Sequence, residues 1–226
     1  MCVKNGEFII PKFISMDRSC YATLIEERGV FGMIRLGIDI DGTVTDQSSL
    51  LPFLNKQFQM ELTLKDIIDY DLTKAVGVSH EVFAKWFQDT EREMYKDSIL
   101  AEGAKEILMR WVNSYELYFL SARPTSVLDV TLEWFHKHGV EYHHIECIGS
   151  HDKVNAAKHY KIDVFLEDKH DNAVDIHNKC QIPVLLFDAP YNRDPIPEGV
   201  IRIVNWQEAD NWLASWEQLK LESNNR

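Results

Sequence analysis

The stretch Ile34-Arg35-Leu36-Gly37-Ile38-Asp39-Ile40-Asp41-Gly42-Thr43-Val44-Thr45 passes from aliphatic residues straight into two carboxylates, a glycine and a hydroxyl. Residues 34–40 predict a central strand of a parallel sheet, covered on both faces and so apolar along its length, and Gly42 supplies the turn that stops it. Asp39 and Asp41 then stand at the carboxyl end of the strand, where open α/β sheets bind their ligands. Residues two apart on an extended segment point the same way, so both carboxylates can face one small volume. Like charges that close repel. A divalent cation relieves the repulsion, and Mg²⁺ is usually held by one or two carboxylates plus water and substrate phosphate. A surface Asp-Gly turn fits the preceding apolar run poorly. An EF-hand fits no better, because no helix precedes the segment and Val44 stands where that loop needs glycine.

Three further blocks follow in order. The strand-like residues 115–120 end in Ser121, Lys153 opens a helix-like segment, and Val164-Phe165-Leu166 ends in Glu167-Asp168. Asp-x-Asp-Gly-Thr after a hydrophobic strand, followed by these blocks, resembles the haloacid dehalogenase (HAD) superfamily of phosphotransferases. The resemblance implies a nucleophile at Asp39, which takes the phosphoryl group as an aspartyl-phosphate, and a general acid and base at Asp41. It further implies that Ser121 donates to a phosphoryl oxygen and that Lys153 neutralises charge beside the nucleophile. Mg²⁺ would be held by Asp39, Asp168 and the main-chain carbonyl of Asp41, with Glu167 in the outer shell. Thr43 and Arg123 are expected in supporting positions. An acid at position 41 favours phosphatase chemistry within that superfamily.

Strand and helix alternate along the rest of the chain, which predicts an α/β, three-layer Rossmann-like core with a parallel sheet. The core is expected over residues 33–45 and 102–220, with strands at 143–148, 163–166, 183–187 and 200–204. Residues 103–113 predict a helix with Ala104, Ile107, Leu108 and Trp111 on one face. Pro124 starts another, Asn205-Trp206-Gln207-Glu208 caps a closing one, and residues 221–226 read as a frayed tail. Between the first two motifs, residues 46–101 turn helical, with elements at 48–58, 63–70 and 79–95. Thr63-Leu64-Lys65-Asp66 reads as a capping-box start, and Val82, Phe83, Trp86 and Phe87 recur at helical spacing. An insertion of this size resembles the small helical cap of HAD enzymes. Phe53 and Trp86 are its candidate substrate-facing aromatics. Residues 1–32 precede the first strand and read as a dispensable amino-terminal extension.

With 226 residues there is room for one core and a modest insertion. A formal net charge of −12 disfavours a nucleic-acid polymer as partner, whereas a small phosphorylated substrate is tolerated because Mg²⁺ and lysine invert the field locally. Cys2, Cys20, Cys147 and Cys180 form no close-spaced pair, which suggests reduced intracellular thiols. No apolar run is long enough to span a membrane and no proper signal peptide is evident, so a cytoplasmic location is expected. The histidines at 136, 138, 143 and 144 invite a metal reading, but adjacent His143 and His144 point to opposite faces of a strand.

Within the superfamily, Phe119-Leu120-Ser121-Ala122-Arg123-Pro124, Asp163-Val164-Phe165-Leu166-Glu167-Asp168-Lys169 and the tryptophan-rich carboxyl end resemble the cytosolic C-type 5′-nucleotidase and deoxyribonucleotidase group, including bacterial members. Glu167 departs from the double aspartate common there. The implied function is Mg²⁺-dependent hydrolysis of a small phosphate ester, a nucleoside monophosphate by that resemblance. Two alternatives stand beside it: a phosphatase or phosphotransferase acting on another small ester, and a non-catalytic nucleotide or phosphate sensor. Oligomeric state is left open.

Overall fold

Six short strands, β1 (Arg35–Ile38), β2 (Glu116–Ser121), β3 (His144–Cys147), β4 (Val164–Glu167), β5 (Val184–Phe187) and β6 (Val200–Ile203), form one parallel sheet in the order β3-β2-β1-β4-β5-β6. The computed structural model describes residues 32–224 and places the chain from Ile34 onward in a single unit. The expectation for residues 1–32 thus lies almost wholly outside the described residues. The strand order reverses between β1 and β4, the position at which doubly wound sheets bind ligands outside their carboxyl ends.

Helices cover both faces, and the period of two along each strand decides which. In β1 and β4, Leu36, Ile38, Val164 and Leu166 pack towards α4 (Ala104–Trp111), α5 (Leu128–His138) and α8 (Trp206–Asn224), where Trp111, Trp134 and Trp206 fill the layer. Phe165 points the other way, onto α6 (Val154–His159) and α7 (His170–Cys180) through Val154, Ala157, Ala173 and Ile176. Gly37 shares that second face. A Cβ there would sit 2.5 Å from the Phe165 ring, so glycine is what lets the aromatic ring lie against the strand. The predicted face of α4 is buried as expected, with Ala104, Ile107, Leu108 and Trp111 all at 3% exposure or less.

Between β1 and β2 the chain makes α1 (Leu51–Phe58), α2 (Leu72–Val76) and α3 (His80–Asp97) around a small core of Leu51, Leu54, Ile67 and Val76. It leaves and returns side by side: Thr45 and Leu100 form an antiparallel bridge, Asp46 N donates to Ile99 O (2.8 Å), and Ala101 N donates to Val44 O (2.9 Å). α3 is fastened to α5 by Arg92, which donates to both oxygens of Asp129 at 3.0 and 2.6 Å.

Several elements differ from expectation. The helix expected over residues 63–70 is a single 3₁₀ turn, Leu64–Asp66; the capping box forms, but Ile67 at φ −90°, ψ 82° ends the turn at once. α2 was not expected. It is only five residues long, held by an Asp71 cap at one end and Gly77 in the left-handed region at the other. Val82 is 54% exposed and leaves the apolar stripe of α3, which consists of Phe83, Trp86 and Phe87. Pro124 precedes a 3₁₀ turn before α5, and α8 continues into the expected tail as far as Asn224. His143 accepts from Leu117 N at 3.1 Å while His144 lies against Tyr118 and Tyr160, so the two rings share no site.

Candidate active site

β1 ends at Ile38, but the Asp39 amide still donates to Leu166 O (2.9 Å), which continues the β1–β4 pairing and sets Asp39 beside Glu167. Asp39 shares its face with Gly37, and Glu167 shares its face with Phe165, so both carboxylates turn towards α6 and α7. Lys153 precedes α6, and its buried ammonium donates to Asp39 Oδ1 and to Glu167 Oε2, the latter at 2.8 Å. Asn172, in the first turn of α7, donates to Glu167 Oε1 at 2.8 Å. Both oxygens of Glu167 are therefore occupied. Asp168 has one: its Oδ2 accepts from the Tyr191 hydroxyl at 2.6 Å, while its main-chain carbonyl accepts from Asn192 Nδ2 at 2.6 Å.

The turn after β1 closes under this group. The amides of Val44 and Thr45 both donate to Ile40 O at 2.9 Å, and Gly42, at φ 78°, passes directly beneath Asp168. A Cβ on Gly42 would overlap the Asp168 carboxylate, so glycine is required there on two grounds, backbone angle and space.

Charge in this pocket is unbalanced. Burial pushes the Asp39 carboxyl well above its ordinary range; Lys153 opposes this, and Glu167, Asp168 and Asp41 reinforce it. Burial also pushes Asp168 up to about 7, helped by Glu167 and opposed by the Tyr191 hydrogen bond. Lys153 stays charged, because Asp39 and Glu167 outweigh the burial that would lower it. One lysine thus faces more negative charge than it can neutralise. Carboxylate oxygens of Asp39, Glu167 and Asp168 all lie within 4.8 Å of one another and are buried, a donor set that suits a hard divalent cation. With Glu167 committed to Lys153 and Asn172, Asp39 and Asp168 are the two with an oxygen to offer.

These groups form the floor of a cavity of about 720 Å³, within the usual range for small-molecule sites. Its far wall comes from the insert: Leu50, Leu51, Leu54 and Ile67, with Phe83 and Phe87 one turn apart on α3. Tyr70 stands at the mouth, edge-on to Tyr191 at 5.9 Å and to His151 at 5.7 Å, with Lys169 Nζ 4.5 Å from its ring centre.

The structure brings Asp39, Asp41, Lys153, Glu167 and Asp168 to this cavity. The side chain of Asp41 faces Arg123 and is not part of the acidic cluster. Ser121 is fully buried at the end of β2, its Oγ accepting from Arg123 N at 3.2 Å, and it lies behind the cavity wall. Thr43 is also behind the wall, with a buried Oγ1 that has no partner among the described residues.

Phe53 and Trp86 are not where the sequence led us to expect them. A helix turns roughly 100° per residue, so with Leu51 and Leu54 directed inward Phe53 is rotated away from the cavity. Trp86 packs inside the insert, 5.1 Å from Phe58 and 5.3 Å from Phe83. The aromatics that do line the cavity include Phe83, Phe87, Tyr70 and Tyr191. Sequence reasoning missed Tyr191, Asn172 and Asn192. Tyr191 and Asn192 follow β5 at its carboxyl end, and that position was the available signal.

Known proteins place the chain in a family. A family model described as 5′ nucleotidase, deoxy (pyrimidine), cytosolic type C protein matches residues 32–218. BH1399 of Halalkalibacterium halodurans is 48% identical over 80% of this chain and 93% of its own length. YqfW of Bacillus subtilis is 44% identical over 80% and 94%. Among solved structures, the HAD-hydrolase YfnB of Bacillus subtilis, bound to magnesium, superposes with a TM-score of 0.55 at 13% identity, covering 81% of this chain and 99% of that one. The family match takes in the sheet, the acidic floor and the helical insert together, and the chain belongs to this nucleotidase family as an α/β phosphatase of the HAD superfamily.

Proposed function

We propose that the chain is a Mg²⁺-dependent 5′-nucleotidase that hydrolyses nucleoside monophosphates through an aspartyl-phosphate on Asp39. The observation that carries this reading is the buried ammonium of Lys153 shared by Asp39 and Glu167, next to Asp168, on the floor of a cavity with an aromatic far wall. Phosphoryl transfer asks little covalent chemistry of a protein but demands positioning and charge neutralisation. Asp39 attacks phosphorus with a carboxylate oxygen, while Lys153 steadies the nucleophile and neutralises charge beside it. Asp41 gives a proton to the leaving oxygen and takes one from the water that follows. Asp168, steadied by Tyr191 and Asn192, and Asp39 would hold the cation, which supplies charge neutralisation to the transferring phosphoryl group. The magnesium in the YfnB structure supports this assignment.

Cation binding is expected to release protons at pH 6. Burial sets Asp168 at about 7 in the metal-free protein, so at pH 6 it is largely protonated and the cation displaces that proton. At pH 9 the share released by Asp168 should vanish. Titration calorimetry with Mg²⁺ in two buffers of different ionisation heat measures it directly. Identical heats in both buffers at pH 6 would exclude Asp168 as a ligand.

A panel of phosphomonoesters with Mg²⁺ tests the substrate. Base stacking is worth roughly 1–3 kcal/mol and tolerates base identity. At about 1.4 kcal/mol per decade, nucleoside monophosphates should exceed sugar phosphates in kcat/KM by about 5- to 150-fold. Sugar phosphates outperforming every nucleotide would overturn the nucleotide assignment and leave the phosphatase chemistry standing.

A further inference from the structure

Arg123 is a fully buried guanidinium, its side chain at 0% exposure, and a charge so placed requires a counter-charge in good geometry. Its Nε donates to Asp41 Oδ2 at 2.9 Å and its Nη2 to Asp41 Oδ1 at 2.7 Å, a two-pronged grip on the carboxylate. The fork is itself held on its other sides. Nη1 donates to Thr131 Oγ1 on α5 at 3.0 Å, and the guanidinium carbon lies 3.9 Å from the ring centre of Tyr95 on α3. The Arg123 amide is tied to Ser121 Oγ and its carbonyl accepts from Gly149 N at 3.0 Å. Both residues border the cavity, but Asp41 keeps 39% of its side chain exposed. The rigid partner is buried and the reacting partner faces the substrate.

We propose that Arg123 is a positioning residue, which acts by aiming the carboxyl of Asp41 at the leaving-group oxygen. The proposal rests on the acid–base reading of Asp41 given above. In the first step an Asp39 oxygen bonds to phosphorus and the phosphorus–ester oxygen bond breaks. The electron pair stays on the leaving oxygen, which takes the proton from Asp41. In a carboxylic acid the hydroxyl oxygen is a much weaker acceptor than the carbonyl oxygen and turns its proton away from a donor. In the acid form one Arg123 bond therefore remains as the pivot, and the freed oxygen carries the proton outward. Once the proton has gone, Asp41 is the carboxylate that both bonds grip, the state in the structure. In the second step water bonds to phosphorus, the phosphorus–Asp39 bond breaks, and the proton from water returns to Asp41.

The grip predicts a dependence on the leaving group that a merely structural arginine would not show. A nucleoside 5′-monophosphate needs its leaving oxygen protonated, whereas p-nitrophenyl phosphate expels a phenolate that does not. The test compares kcat/KM for both esters in Asp41→Asn, Arg123→Met and the double variant. A general acid contributes about 10²–10⁴-fold, so Asp41→Asn should lose on that order with the nucleotide and far less with the aryl ester. Arg123→Met should reproduce the pattern with a loss of about 10- to 100-fold on the nucleotide, a part of the full acid effect. Added to Asp41→Asn it should cost nothing further on either ester. If Arg123→Met does not fold, Arg123→Lys, which keeps the charge without the fork, serves in its place. Equal losses on both esters, or a further loss in the double variant, would overturn the positioning role. An Asp41→Asn variant with no leaving-group discrimination would instead overturn the acid–base reading beneath it.

Discussion

Replacing Asp39 by Asn is expected to remove turnover by a factor on the order of 10⁴–10⁶, the scale on which losing a nucleophile acts when the surrounding machinery stays in place. The fold should survive. Burial already works against the Asp39 charge, and Glu167 remains as the partner of Lys153, so removing one of the crowded carboxylates relieves repulsion as much as it breaks an ion pair. Single-turnover rapid-quench measurements with a nucleoside monophosphate should trap a phosphoenzyme in the native protein and none in the variant, with thermal unfolding run on both. A variant that retains full activity, or native protein that never accumulates or passes through a phosphoenzyme, would refute Asp39 as the nucleophile.

That Asp39 and its partners were legible in the sequence has a physical reason. Asp39, Ser121 and Glu167-Asp168 each close an apolar strand, and a parallel sheet sends all its strand ends to the same side, so local pattern alone gathers them. Lys153 was placed by resemblance. What stayed hidden depends on side-chain direction or on long loops. Arg123 and Asp41 are 82 residues apart, and nothing local in either announces the grip. Tyr191 and Asn192 lie in a 3₁₀ turn after β5 whose sequence, Pro190-Tyr191-Asn192, reads as an ordinary connection. In the insert, short elements defeat periodicity: the turn at Leu64–Asp66 carries a capping box yet stops after three residues, and residue type alone does not tell Phe53 and Trp86 from Phe83 and Phe87, which the face of α3 turns to the cavity.

Lys153→Met should be the most destabilising change in the site. Methionine fills much of the lysine's volume but leaves Asp39 and Glu167, both buried, without their shared cation beside Asp168. Breaking a buried pair by removing one partner costs about 3–5 kcal/mol, because the remaining charge is uncompensated. At about 2–4 °C per kcal/mol for a domain of this size, Tm should fall by on the order of 10 °C. The loss should grow with pH. With Lys153 gone the folded-state carboxyls titrate above their unfolded values, so the native state binds more protons and its stability declines as pH rises through and beyond the ordinary carboxylate range. Two additions should restore stability by different routes: Mg²⁺, by binding the native acidic cluster only, and Glu167→Gln, by removing one unpaired charge while keeping a side-chain oxygen for Asn172. Neither should restore turnover fully, since the Asp39 carboxylate that Lys153 steadied is then free to turn away from the line of attack. Thermal unfolding of Lys153→Met and of its Glu167→Gln double variant, each with and without Mg²⁺ at pH 5 and pH 8, separates these terms. Equal stability of Lys153→Met and native protein at pH 8 would mean that the acidic cluster is not under the electrostatic strain inferred from its burial.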